Sequence, residues 1–458
     1  MQFSDYMNSS VTTLLDALEQ RKVTSLKLIE YAIERINMLD KAGSTLNAIT
    51  WLFEDEAKKA AIQSDMKRSK GIPSGKLEGI PVLIKDNIEV AGWPTTAGSV
   101  ALQGIIAEQD APIVAKLREE GAILLGKTAM HELAAGITGA SSLSGFAQNA
   151  WVPGYSPGGS SSGSAVVVAA GYVPLAIGTD TAGSVRIPAA FNNLYGLRAT
   201  RGSIPSAGIV PLSPTQDIAG PFVRSAGDLR LIHEVLSGKP CEISHEDIKV
   251  GLLTEWLSYS DDESESINAL IMKALEKLGG KEEKIPQLHY RDLYSLTADA
   301  SIITFEFAES LERFLSENKN AKFKSLKEII DLKLYHPQLE DAFSIWAFHK
   351  GMSDDEYSLV QDRQARLYQD LEAFFSKNGI NILAYPVIRH SPVKIGQPQQ
   401  LENNAFLSPV TGAPALSVPV GFTPSGFPVG MELLALKNKE DLLIKAASVF
   451  PDSYSALL

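Results

Sequence analysis

Residues 79–90 read GIPVLIKDNIEV. After Gly79 the run Ile80 to Ile84 is short and apolar, as suits a strand buried on both faces, and it ends on a charge, Lys85. Working outward, residues 111–126 carry Ile113 and Leu117 at helical spacing and then a second apolar run, Ala122 to Leu125. Upstream, two helices are expected over 10–40. In the second, Leu26, Ile29, Ile33, Ile36 and Leu39 share one face, with Thr24 or Ser25 placed to cap it. Downstream, residues 248–253 (IKVGLL) read as a strand and Ser266 to Lys277 as a helix. From about 290 to 380 the chain is charged and helical, as in TFEFAESLERFL and DRQARLYQDLEAFF. Strands return at Ala415 to Val420 and Val429 to Ala435, joined by TPSGF, a hairpin turn. Helix and strand alternate, so the fold class is α/β. No sharp linker interrupts the chain. One domain over 1–458 is expected, its candidate catalytic segments mainly in 60–235 and 405–450, with a variable helical region at about 240–400.

Composition narrows the function classes. The chain has 458 residues, 45% hydrophobic and 21% charged, which is ordinary for a soluble globular protein. A net charge of −12 repels phosphate backbones, so nucleic acid is not an expected partner. No run of 18 apolar residues is free of charge, and the N-terminus MQFSDYMNSSVTTLL lacks a basic then apolar leader. No membrane is expected, and the cytoplasm is the default location. The one cysteine, Cys241, excludes an intrachain disulfide and reads as a small buried hydrophobe. No Cys/His cluster has zinc spacing, so no metal or cofactor is expected.

Two segments stand out. PGGSSSGSAVVVAAG (157–171) could be a flexible linker, a structural turn or a phosphate cradle. It lacks the GxxxxGK[ST] pattern of a P-loop, and it runs straight into an apolar stretch, where Ser162 or Ser164 could cap a buried helix. It also matches G-x-S-x-G centred on Ser161, but Tyr155-Ser156-Pro157 before it does not read as the strand that such an elbow follows. The second segment is GTDTAGSVRIP (178–188). It is either a tight loop or a place where the backbone N–H groups of small residues converge, as a developing oxyanion requires. A serine nucleophile there needs a base. None of the seven histidines stands beside these segments; the nearest upstream, His131 in MHELAAG, reads as a core or surface residue. Lys85 is the other candidate. As a buried amine it would lose its charge and accept a proton; as an exposed one it is only surface charge.

Together these residues resemble the amidase signature family. Its GxPxxxKD segment is matched by Gly79 to Asp86, its GGSS[GS]G segment by Gly158 to Gly163, and its D-x-[GA]-[GS]-S-[IV]-R segment by Asp180 to Arg186. The separations are 160 − 85 = 75 and 184 − 160 = 24 residues. TGAPALSVPVGFTPSGFPVGMEL (411–433) matches the family's C-terminal segment. The resemblance implies a large mixed twisted sheet covered by helices on both faces. It implies amide hydrolysis through an acyl-enzyme, with Ser184 as nucleophile, Ser160 as relay after a cis Gly159–Ser160 peptide, and Lys85 as base. It places the oxyanion on the N–H groups of Thr181, Ala182, Gly183 and Ser184, with Ser161, Asp180 and Arg186 as hydrogen-bonding supports and Ala134 to Thr138 beside the substrate. Ala182 and Ser162 stand where many members carry glycine; an alanine at 182 requires ordinary backbone angles there. HELAAGIT resembles indoleacetamide and mandelamide hydrolases, and DTAGSVRIPAAFNNLYGLR the allophanate hydrolases. The expected partner is a small-molecule amide, and a homodimer is compatible with the sequence. The alternative is the amidating (A-type) component of a glutamine-dependent tRNA amidotransferase, whose YY…AEAS pattern ITFEFAESLERFL lacks.

Overall fold

A computed structural model of the chain describes residues 1–41, 43, 45–72, 75–259, 262–279, 300–348, 354–398 and 403–456. Parts of the stretch expected to be helical, 290–299 and 349–353, lie outside the described residues. Among the described residues ten strands form one sheet: β1 (Ile49–Leu52), β2 (Pro81–Lys85), β3 (Ile123–Thr128), β4 (Leu175–Asp180), β5 (Tyr195–Arg198), β6 (Ile218–Val223), β7 (Val250–Leu252), β8 (Ile382–Pro386), β9 (Ala415–Phe422) and β10 (Pro428–Leu434). Their order is β1-β3-β2-β4-β6-β5-β9-β10-β8-β7. The pairs β2–β3, β2–β4 and β7–β8 are parallel, and the other neighbours are antiparallel. The sheet is therefore mixed, with helices flanking it, as the α/β reading requires.

The central strands are apolar because both faces are covered. Every residue of β2, β3, β4 and β6 is buried. The helix Ser162–Ala169 is buried on all sides, so it carries no polar face. Its N-cap is Ser161, without a side-chain cap bond; the expected caps Ser162 and Ser164 fall inside the first turn. Ser164 instead bonds Thr128 (2.7 Å) and the Ile177 carbonyl (3.2 Å), which fastens the helix to β3 and β4. The helices Val11–Glu19 and Ser25–Leu39 form as expected, and Thr24 caps the second by accepting from Lys27 N–H at 3.1 Å. β9 and β10 are the expected hairpin, with Gly426 at φ +85° in its turn.

The region 240–400 is not wholly helical. It supplies β7, which the sequence indicates, and β8, which it does not, and these two strands form one edge of the sheet. Its helices Ile303–Glu317 and Glu340–Phe348 make a second apolar core: Phe307, Leu311 and Phe343 pack with Leu102, Met130, Leu133, Ala134 and Leu212.

Candidate active site

The site forms where β2 and β4 run side by side and end. Lys85 closes β2, and Thr179 and Asp180 close β4. Lys85 is fully buried, with Nζ 2.7 Å from Ser160 Oγ and 2.7 Å from Thr179 Oγ1. Thr179 Oγ1 also accepts from Asn87 Nδ2 at 3.1 Å. Among the described residues no carboxylate contacts the amine directly. Burial therefore lowers its pKa to about 7, although the charges of Asp217 and Asp180 pull the other way.

Ser160 follows a cis peptide from Gly159. Its carbonyl accepts from His131 N–H at 2.9 Å, and the next residue, Ser161, donates its N–H to the Ser184 carbonyl at 3.2 Å. That bond brings the two serine segments together. Ser161 spends its hydroxyl on Thr179, donating to the carbonyl (3.0 Å) and accepting from the N–H (3.2 Å). Both bonds tie the start of the buried helix to the end of β4. Ser184 is 5% exposed, and among the described residues no hydrogen bond ends on its hydroxyl.

The Asp180 carboxylate ties the loop 181–185 at several points. Asp180 accepts from the N–H of Gly183 (2.8 Å) and of Val185 (3.1 Å), and from Arg186 Nε (3.0 Å) and Arg198 Nη1 (3.2 Å). Burial alone would raise its pKa, but Arg186 and Arg198 hold it well below the usual carboxylate range. Arg186 reaches Glu432 on β10 at 2.7 Å, so the buried ion network joins both halves of the sheet. Gly183 has φ +108°, which a side chain resists, while Ala182 takes ordinary angles as its Cβ demands. The four amides of the loop are not equivalent. Gly183 N–H is committed to Asp180, whereas no acceptor among the described residues takes the N–H of Thr181, Ala182 or Ser184. The resemblance assigns all four as oxyanion donors; three of these N–H groups are without an acceptor among the described residues.

Ala134 lies at φ +58° with its N–H on the His131 carbonyl (3.1 Å). It belongs to the second apolar core, against which Ala182 and Ala135 also pack, so this loop and the oxyanion candidate share one apolar wall. His131 is buried and held neutral: burial, aided by His336 and Lys85, lowers its pKa to about 3. Its Nδ1 accepts from the N–H groups of Thr138 and Gly139, both at 3.2 Å.

Sequence reasoning missed Thr179, Asn87, Asp217, Arg198 and Glu432. The first two stand inside the quoted motifs, one residue before Asp180 and two after Lys85. Arg198 ends the quoted stretch 180–198 and Glu432 lies within the quoted 411–433, but neither carries a local sign of its role; Asp217 lies outside every quoted segment.

The Amidase family profile matches residues 27–444. An indoleacetamide hydrolase of Pseudomonas savastanoi is 31% identical over 96% of this chain and 95% of its own length. The A component of the glutamyl-tRNA(Gln) amidotransferase of Psychrobacter sp. (strain PRwf-1) is 29% identical over 98% of this chain and 96% of its own. The solved peptide amidase from Stenotrophomonas maltophilia superposes with a TM-score of 0.87 at 29% identity, covering 98% of this chain and 97% of that one. The chain belongs to the amidase signature family, hydrolases of the carboxylic amide C–N bond.

Proposed function

We propose that this chain hydrolyses a small carboxylic amide through an acyl-enzyme on Ser184, with Ser160 as relay and Lys85 as base. The observation that carries the reading is the 2.7 Å contact between a fully buried lysine amine and Ser160, beside the backbone bond that joins residue 161 to residue 184. An amine with a pKa near 7 is largely uncharged just above neutrality and can accept a proton. As Ser184 Oγ attacks the carbonyl carbon, its proton passes to Ser160 Oγ, and the Ser160 proton passes to Lys85 Nζ. This requires the Ser184 side chain to turn toward Ser160 when substrate binds; catalytic hydrogen bonds commonly tighten only in the complex. The oxyanion is held by the free N–H groups of Thr181, Ala182 and Ser184, while Gly183, Asp180, Ser161 and Arg186 keep the loop in place. The C–N bond then breaks, the proton on Lys85 returns through Ser160 to the leaving nitrogen, and water cleaves the acyl-enzyme by the same relay.

The similar proteins act on different amides, so the reading stops at the class. The net charge of −12 favours a small amide over nucleic acid, and we read the chain as a single amidase domain acting in the cytoplasm. Its 240–400 region carries the substrate-side wall, as the packing of Ala134 and Ala182 with Phe307 and Phe343 suggests. An assay of ammonia or amine release by the purified chain, over aliphatic, aryl and peptide amides, tests the proposal. Turnover of simple amides by the chain alone is expected. Turnover only in a co-purifying hetero-assembly would favour the amidotransferase reading instead, and size-exclusion chromatography separates that assembly from a homodimer.

A further inference from the structure

Asp217 lies at the end of the loop PLSPTQD (211–217), just before β6, and the mechanism above leaves it unused. Its carboxylate is shared between two segments. Oδ1 accepts the Thr181 hydroxyl at 2.5 Å, and Oδ2 accepts the N–H groups of Leu212 (2.9 Å) and Ser213 (3.0 Å). The neighbouring Gln216 donates from Nε2 to the Thr181 carbonyl at 3.2 Å. Thr181 is thus held at its side chain and its carbonyl by one loop, while its N–H stays free. That loop is in turn braced from the second core. Glu306, on the helix Ile303–Glu317, accepts from Ser213 Oγ (2.5 Å), Thr215 N–H (3.2 Å) and Thr215 Oγ1 (3.1 Å), and from the Tyr357 hydroxyl (2.8 Å).

The charges around this point are few. Lys85 on β2 and Arg198 on β5 feel the Asp217 charge as attraction, and Glu306 opposes it. Lys85 is faced also by Asp180 on β4 and by His131, which is neutral. A cavity of about 660 Å³ opens on the outer side of Asp217, lined also by Glu89, Ile209, Arg313 and Phe314, and Ser184 does not line it. Asp217 therefore reaches the chemistry through Thr181 and through its field, not by touching substrate at the serine.

We propose that Asp217 is a positioning residue for the amide hydrolysis, holding the Thr181 N–H in register for the oxyanion and steadying the ammonium that Lys85 becomes during acyl transfer. This rests on the Ser184–Ser160–Lys85 reading and deepens it. Asp217→Asn keeps the shape, removes the charge, and cannot accept at both of the native carboxylate's contacts. It should lower kcat by about 10- to 100-fold while KM stays within about twofold. The acid limb of its kcat profile should move to lower pH by on the order of one unit, because an opposite charge near Lys85 is gone. Thr181→Val removes the held hydroxyl and leaves the charge: kcat should fall with the acid limb unmoved. Asp217→Glu should restore the limb toward its native position. A native kcat in Asp217→Asn, or an acid limb that stays put in that variant while folding is intact, would overturn the proposal. If Asp217→Asn does not fold, a Thr181→Val variant with native kcat overturns it equally. Full activity in Lys85→Ala would instead overturn the catalytic reading beneath it, so the two failures are told apart.

Discussion

Two lysines sit at the ends of neighbouring parallel strands and do different work. In the β2–β3 pairing, Lys85 stands opposite Thr128, and Lys127 stands opposite Ile84. Successive residues of a strand face opposite ways, so the two amines project from opposite faces of the sheet. Both are fully buried, and burial lowers both, Lys85 to about 7 and Lys127 to about 8. Their partners differ. Lys85 meets two hydroxyls, Ser160 and Thr179, which can pass a proton. Lys127 donates to the Ile88 carbonyl and Thr95 Oγ1, and its charge is supported first by Asp86, which follows Lys85 in the chain. The second lysine therefore pins the turn after β2. Burial explains the lowered proton affinity of both; only the identity of the neighbouring atoms distinguishes the one proposed as the base.

The sharpest way to break this contrast is to remove the proposed nucleophile. Ser184→Ala should lower kcat by roughly 10⁴-fold with an unchanged circular dichroism spectrum. On that background Lys85→Ala should cost nothing more in rate, because residues that act as one unit do not add. A further loss would mean that Lys85 acts on its own. Alone, Lys85→Ala should lower kcat by about 10³-fold. In the native enzyme kcat should rise with pH through about 7 as the Lys85 ammonium loses its proton. A flat profile between pH 6 and 8 under chemistry-limited conditions would remove Lys85 as the base.

This contrast also marks what could be read from the chain alone. Lys85 was legible because it ends an apolar run, and Ser160 and Ser184 because small residues crowd around each within a few positions. Most expected strands and helices formed for the same reason: burial on one or both faces leaves a local pattern. Lys127 sits in ILLGKT, an equally buried strand end, yet no motif around it proclaimed a role. Its partners Asp86 and Ile88 are some 40 residues upstream, and only the β2–β3 pairing brings them near. Asp217 and Glu432 escaped notice for that reason too, their partners Thr181 and Arg186 lying 36 and 246 residues away. β8 was missed because ILAYP is a short apolar run, which periodicity cannot assign, next to a long helix. Gly183 shows a subtler limit. Its N–H, read from the chain as an oxyanion donor, also meets the Asp180 carboxylate three residues earlier, a contact that no size or composition signal announces.

The next effect falls on stability. Lys127→Met removes the counter-charge of the buried Asp86 and frees the Ile88 carbonyl. It should destabilise the protein by about 3 kcal/mol in urea titration, while kcat per folded molecule stays within a few-fold. If Lys127→Met instead abolished activity in a fully folded protein, the division of labour between the two lysines would be wrong.

A last effect, spread over several pH units, sharpens the same comparison from the thermodynamic side. In the unfolded chain Lys85 keeps its proton up to a pH of about 10.4, whereas in the folded protein it gives it up near 7. Between these values the unfolded state binds more protons, so this group makes stability rise with pH; below about 7 both states are protonated and the folded protein bears the full cost of a buried ammonium. Lys85→Met has no such cost at any pH. Measured by urea unfolding at pH 6, 8 and 10, the difference between native protein and variant should move in favour of the native protein by roughly 4 kcal/mol as pH rises. Lys127→Met should show a weaker dependence, because Asp86 and Glu89 offset part of the burial of that amine. Equal, flat differences for both variants would mean that neither amine is as desolvated in solution as its position requires, and the base assignment would lose its physical footing.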